Sequence, residues 1–272
     1  MSKRPAAIDC WFNVNMGEYG TPDYLVEARR KLFGADEELY RDYTIEETLE
    51  LFDRVNIERA IVTTGTASPS AHVLSFVEKC PERFTLGLHL DPRGGAHTAR
   101  ELKALVANHP AVLARVIPFE SGLAPDEPLY YPIYSVCCEL DLPLTVNTGI
   151  PGPPVPAAYQ DPLHLDRVCL DFPELVLCMA HGADPWWKVA VRLMLKYSGL
   201  HLMTSAYLPK YLPADFVHFM NTRGQDKVIF ASDHPAIEAG RCLEEAAALE
   251  LRPGVLEKYL SANARRVFFG GN

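Results

Sequence analysis

The feature that most constrains this chain is an alternation: short β-branched runs are followed by helical stretches about eight times along its 272 residues. A strand that returns parallel to its predecessor needs a crossover of a dozen or more residues, usually a helix. Eight such units close on themselves as a (β/α)8 TIM barrel, the fold class expected here. The expected strands are Ala6 to Asn13, Arg59 to Thr63, Thr85 to Leu90, Leu113 to Pro118, Leu144 to Asn147, Leu175 to Met179, Leu200 to Thr204 and Val228 to Ala231. Helices are expected at Ile45 to Val55, Ala71 to Lys79, Ala96 to Ala107, Pro128 to Leu140, Leu163 to Phe172, Pro185 to Tyr197, Pro213 to Asn221, Leu243 to Leu249 and Val255 to Phe268.

Local chemistry supports these boundaries. Thr44 followed three residues later by Glu47 reads as a capping box. Asp184 before Pro185 reads as an N-cap with proline in the first turn, where a missing N–H costs nothing. No repeat, low-complexity tract or linker divides the chain, so one domain over 1–272 is expected. The longest stretch without a strand, residues 15–43, leaves the C-terminal end of the first strand, where an excursion serves as a lid or as static surface. Its Gly17, Gly20 and Gly34 suit the lid, and the static reading carries one helix from Pro22 to Lys31.

Charge and composition narrow the function. With 35 acidic against 26 basic residues the net charge is -9, which argues against a nucleic-acid-binding face. No apolar run approaches the roughly 20 residues that span a bilayer, and no signal-type stretch opens the sequence, so a cytoplasmic, small-molecule-binding protein is expected. Seven cysteines without CxxC spacing fit a reducing compartment, and the adjacent Cys137 and Cys138 read as helix residues rather than a redox pair.

In a barrel of this kind, chemistry gathers at the C-terminal ends of the strands. Asp9, Trp11 and Asn13 stand two apart on the first strand, so in a regular strand all three project into the lumen. Asn147 ends the fifth strand, His181 follows the sixth and Asp233 the eighth. His181 and Asp233 are the expected catalytic acid/base residues. Further expected substrate contacts are Trp11, His89, Arg115 and Tyr207, with Lys210 beside Tyr207 at the mouth. Arg115, inside the fourth strand, needs an anion, which is either Glu120 or a substrate carboxylate. His234 points away from Asp233 and is expected to be structural. The proline- and glycine-rich run from Asn147 to Gln160 is expected to form a stiff wall, with Trp186 and Trp187 packing between helix and barrel.

Several of these runs together carry a resemblance. Ile8-Asp9, Pro143 to Gly149, Ala180-His181-Gly182 with Pro185-Trp186, Thr204-Ser205, Phe230 to Pro235 and Asn263 to Phe268 resemble the amidohydrolase-related branch of the metal-dependent hydrolase superfamily, across nearly the whole chain. The resemblance implies a (β/α)8 barrel whose metal ligands fall at Trp11, Asn13, Asn147, His181 and Asp233. Only the last two keep the usual ligand type. A metal held by Asp9, Asn13, Asn147, His181 and Asp233 is then oxygen-rich. The expected cofactor is therefore either a divalent metal (Fe, Mn or Zn) or none, and in the metal-free alternative the asparagines serve an oxyanion.

The segment Asn147 to Pro153 followed by Gln160-Asp161-Pro162 is similar to members that hydrolyse acyl-CoA or β-ketoacyl-CoA compounds. This implies a hydrolase acting on a CoA thioester or related activated carbonyl. Two alternatives stand beside it: a decarboxylase or carbon-carbon hydrolase of a small aromatic or β-keto acid, and a ligand-binding barrel without turnover. Family barrels often pair, so a homodimer is also expected.

Overall fold

Eight parallel strands follow one another in sequence order around a single sheet: β1 (Ala7–Phe12), β2 (Ile57–Thr63), β3 (Phe84–His89), β4 (Ala111–Val116), β5 (Leu144–Asn147), β6 (Leu177–Ala180), β7 (Leu200–Met203) and β8 (Val228–Ile229). The structure, a computed structural model, describes residues 4–17, 27, 28, 30, 31, 41–65 and 68–270. The sheet closes where the segment after β8 meets β1. Phe230 O accepts Cys10 N at 3.3 Å, Asp233 N donates to Trp11 O at 3.0 Å, and Asn13 N donates to His234 O at 2.9 Å. The expected (β/α)8 barrel is therefore the fold.

Two apolar layers arise from the period-2 alternation of the strands. Inside the barrel lie Ile8, Cys10, Ile61, Leu113, Cys178, Ala180, Met203, Ile229 and Ala231. Between barrel and helices lie Ala7, Phe12, Ala60, Val62, Leu86, Leu88, Ala114, Val116, Val146 and Met179 with the buried faces of the helices. Thr44 caps the helix Ile45–Val55 through the expected reciprocal pair, Glu47 N donating to Thr44 Oγ1 and Thr44 N to the Glu47 carboxylate.

Strand β1 departs from the regular alternation. Asp9 pairs with Ala60 but Phe12 pairs with Val62, so β1 spends three residues where β2 spends two. The extra residue is a β-bulge, which reverses the facing of the residues beyond it. Cys10 and Trp11 consequently both face the interior, while Ala7 and Phe12 face the helices.

Other differences are local. The helix after β6 spans Trp187–Lys196, two residues later than Pro185, and Asp184 is not its cap: its carboxylate instead accepts Trp187 Nε1 at 3.1 Å. Trp187 itself packs against Phe216 and Tyr207, the expected structural role. β8 is shorter than expected, and beyond Ile229 the chain leaves the β7 ladder and meets β1 through the bonds above and a parallel bridge between Phe12 and His234.

The ends of the 15–43 excursion are tied together. Asn15 bridges to Asp42, Gly17 N donates to the Asp42 carboxylate at 2.8 Å, and Tyr43 N donates to Val14 O at 2.8 Å. Gly20, Gly34 and most of the expected Pro22 to Lys31 helix lie outside the described residues. Among the described residues no helix is long and apolar enough to cross a membrane.

Candidate active site

A cavity of about 810 Å³ opens at the C-terminal ends of the strands. Trp11, Asn13, His89, Arg115, Asn147, His181, Tyr207 and Asp233 all line it, as do Met16 and Ala28 from the excursion after β1. Asn13 and Asp233, 220 residues apart in the chain, thus converge on one volume. The stiff loop after β5 supplies one wall, from Thr148 to Pro153 with Gln160. It is pinned at both ends, Gly149 N donating to Gln160 O at 3.0 Å and Ile150 N to Asp184 O at 2.7 Å. Gly149 adopts φ +88°, and a Cβ there would come within 3.2 Å of the Asp184 backbone.

Asp233 and Asn13 form the centre. Asn13 Nδ2 donates to Asp233 Oδ1 at 3.0 Å and to His234 O at 2.7 Å, while its Oδ1 accepts the Thr63 hydroxyl at 2.6 Å. Both N–H groups of the Asn13 amide and one lone pair of its oxygen are therefore committed, and its orientation is fixed. Asp233 sits at φ +64°, in the left-handed region, where the closure of β1 on β8 holds it.

His181 also takes a left-handed backbone, φ +66°. Its Nδ1 meets Ser205 Oγ at 2.8 Å and its backbone N donates to the same oxygen at 3.0 Å, so Ser205 sets both the ring and the chain. The ring lies 4.4 Å from Trp11, centroid to centroid. Neither Thr63 nor Ser205 was expected at the site. Both stand in hydroxyl pairs at strand ends, Thr63-Thr64 and Thr204-Ser205, which is the signal that marks them.

Arg115 is the unusual member. Its side chain is 1% exposed, and among the described residues none of Nε, Nη1 and Nη2 has a hydrogen-bond partner. The guanidinium carbon lies 3.3 Å from the Trp11 ring centroid. On β3, Gly87 leaves room for it, since a Cβ there would meet Arg115 Nη2 at 3.2 Å and Leu113 Cδ1 at 2.9 Å. Burial pushes the guanidinium down from its ordinary value, and the negative charge of Asp233 opposes that shift. Arginine still keeps its proton at neutral pH. Glu120 is not its counter-ion: that carboxylate pairs with His89 Nε2 at 3.3 Å, while His89 Nδ1 meets Gly65 O at 3.0 Å.

Three expectations are corrected. Asp9 does not line the cavity, because the bulge turns it to the outer side of the barrel, beside Tyr259 and Cys242. There its carboxylate accepts Ser232 Oγ at 2.5 Å, Ser232 N at 2.9 Å and Trp11 N at 3.2 Å. Burial raises it to about 7 against those three bonds. Lys210 does not line the cavity either; it pairs with Glu245 at 3.4 Å and covers the Tyr211 ring. His234 is structural as expected, 3% exposed and stacked on Phe12 at 4.6 Å.

The third correction concerns the metal. Among the described residues no group of three or more His, Cys, Asp or Glu could hold a metal ion. An indole has no lone pair to offer at Trp11, the Asn13 carbonyl spends one of its two lone pairs on Thr63, and Asp9 faces the helices. The expected set of Asp9, Asn13, Asn147, His181 and Asp233 thus loses Asp9, and two neutral amides with one imidazole and one carboxylate do not fit the histidine-rich metal centre that the resemblance implies.

The chain matches the family model described as amidohydrolase over residues 8–270. Among solved structures it is similar to an uncharacterized TIM-barrel protein from Bordetella bronchiseptica, at 23% identity with a TM-score of 0.83, covering 96% of this chain and 98% of that one. It is also similar to 2,6-dihydroxybenzoate decarboxylase from Rhizobium, at 18% identity, TM-score 0.72, covering 97% and 99%. A third is 5-carboxyvanillate decarboxylase from Sphingomonas paucimobilis, at 14% identity, TM-score 0.71, covering 97% and 99%. A search of curated proteins returned no match. The match of the family model across almost all of the sequence, on the barrel and the convergent strand ends described above, shows that this chain belongs to the amidohydrolase family.

Proposed function

We propose that this protein is a decarboxylase, a carbon-carbon lyase that releases the carboxyl group of a small aromatic acid as carbon dioxide. The observation that carries the reading is Arg115. A buried guanidinium without hydrogen-bonded acceptors is costly, and a planar fork of N–H donors matches a carboxylate. An anionic substrate in the cavity supplies the missing partner.

The similar structures support the same reaction class, since decarboxylases of 2,6-dihydroxybenzoate and 5-carboxyvanillate share the fold. The expected CoA thioester finds no such support. Arg115 is the one arginine or lysine among the described lining residues, and Glu120 and Asp184 line the cavity beside it. The phosphates of CoA would meet acid where they need base.

In this reading the substrate carboxylate lies against Arg115 with the ring beside Asp233 and His181. Once the substrate carboxylate neutralises the guanidinium, Asp233 takes up a proton from water and gives it to the ring carbon that bears the carboxylate. The carbon-carbon bond then breaks, its electron pair returns to the ring, and carbon dioxide leaves. His181, oriented by Ser205, accepts a hydrogen bond or proton from a ring hydroxyl and so enriches the carbon under attack. Asn13 holds the Asp233 carboxyl in place.

The test is carbon dioxide release from a panel of hydroxybenzoates by purified protein, with Asp233→Asn as control. Release that disappears in the variant supports the proposal. Binding of the acids without release would favour a ligand-binding barrel, and hydrolysis of acyl-CoA with the acids untouched would restore the thioester reading.

A further inference from the structure

Among the described residues the site has no cluster of His, Cys, Asp or Glu that could hold a metal, and it contains a buried cation. Trp11 stands at one of the family's ligand positions, and its indole face is what the Arg115 guanidinium rests on, at 3.3 Å. Gly87 opens the other approach, and Asp233, the aspartate at the eighth strand, supplies the negative field that the guanidinium feels. The same aspartate that would ligate a metal thus faces a permanent positive charge.

We infer that the Arg115 guanidinium, positioned by Trp11, replaces the metal ion of this barrel, so that the cavity binds a carboxylate with no metal present. The inference rests on the reading of the cavity as a carboxylate site given above. A guanidinium over an indole is attracted by the ring and shielded from water on that face. Its N–H fork then recognises a carboxylate by two parallel hydrogen bonds, where a metal would have used open coordination positions. A divalent ion at Asp233 would meet repulsion from the same guanidinium. Trp11 acts here as a positioning residue, through the cation it supports.

The experiment is calorimetric binding of benzoate to protein stripped with a chelator, compared with the same protein supplied with Mn²⁺ or Zn²⁺. Equal affinity in all three is expected. Arg115→Met should weaken binding about tenfold or more, Arg115→Lys less, and Trp11→Leu by several-fold. Thermal unfolding supplies a second readout. Arg115→Met should raise the melting temperature of the unliganded protein, because it removes a buried charge without acceptors; an arginine with a structural role would lower it. Binding only in the presence of added metal, binding unchanged in Arg115→Met, or no benzoate binding in any form would overturn the inference. Metal-free benzoate binding without carbon dioxide release from any hydroxybenzoate would sink the decarboxylase proposal and leave this one standing.

Discussion

The Asp9 carboxylate accepts the Ser232 hydroxyl at 2.5 Å on the outer side of the seam between β1 and the segment after β8. The same carboxylate takes the backbone N–H groups of Ser232 and Trp11, and Asp233 N donates to Trp11 O. Asp9 therefore fixes, from outside the barrel, two residues that face its cavity.

Asp9→Ala is expected to lose about 2–4 kcal/mol of stability, since it leaves two buried backbone donors and a hydroxyl without their acceptor. Asp9→Asn, which keeps one acceptor oxygen, should lose less. Urea unfolding followed by circular dichroism measures both, and an Asp9→Ala protein as stable as the parent would show that the seam does not depend on this carboxylate.

Acid should destabilise the fold through two buried histidines. Burial lowers His201 and His234 to about 3, below the 6.5 of an exposed imidazole. Between those values the unfolded chain binds protons that the folded one refuses, so stability falls as pH drops from 6.5 toward 3. Asp9 acts oppositely: raised to about 7 from 3.8, it favours the folded state at low pH and loses that contribution as pH rises through the interval. Two histidines outweigh one aspartate, so the denaturation midpoint should fall between pH 6.5 and 4. His234→Phe should make that fall shallower; a midpoint that rises on acidification would contradict the assignment.

Asn13→Ala should reduce carbon dioxide release by about ten- to a hundredfold, because it removes the Asn13 hydrogen bond that orients the Asp233 carboxyl while leaving the acid itself in place. Asp233→Asn should reduce release further. Steady-state kinetics on the best hydroxybenzoate distinguish them, and Asn13→Ala should show its effect in kcat more than in KM. Equal rates in Asn13→Ala and the parent would remove Asn13 from the site.

Gly87→Ala should cost about 1–3 kcal/mol through overpacking, since the new methyl group meets Leu113 Cδ1 at 2.9 Å and Arg115 Nη2 at 3.2 Å. It should also weaken benzoate binding, by displacing the guanidinium. A tolerated alanine would mean that Arg115 has room the geometry does not show.

The barrel was legible because its signals are periodic: eight apolar runs separated by helices, each boundary within a few residues of the structure. Much of the site was legible for the same reason, since residues at strand ends need only the fold to converge. The features hidden from the sequence depended on contacts. The pairing of Glu120 with His89 rather than Arg115 is decided by loop geometry. Thr63 and Ser205 carry only the weak signal of hydroxyl pairs at strand ends, and their roles show once Asn13 and His181 are seen against them. The facing of Asp9 was misread because alternation counts positions, and a bulge adds one without altering the pattern of residue types.

That single added residue has a practical reach for protein engineering. Histidines grafted at positions 11 and 13 would present imidazoles to the lumen, whereas one grafted at position 9 would be delivered into the helical shell. Removing one residue at the bulge would invert the outcome, bringing Asp9 inward while expelling whatever stands below it. The first strand of this barrel therefore works as a parity switch, and any attempt to rebuild a metal centre here has to be designed around it.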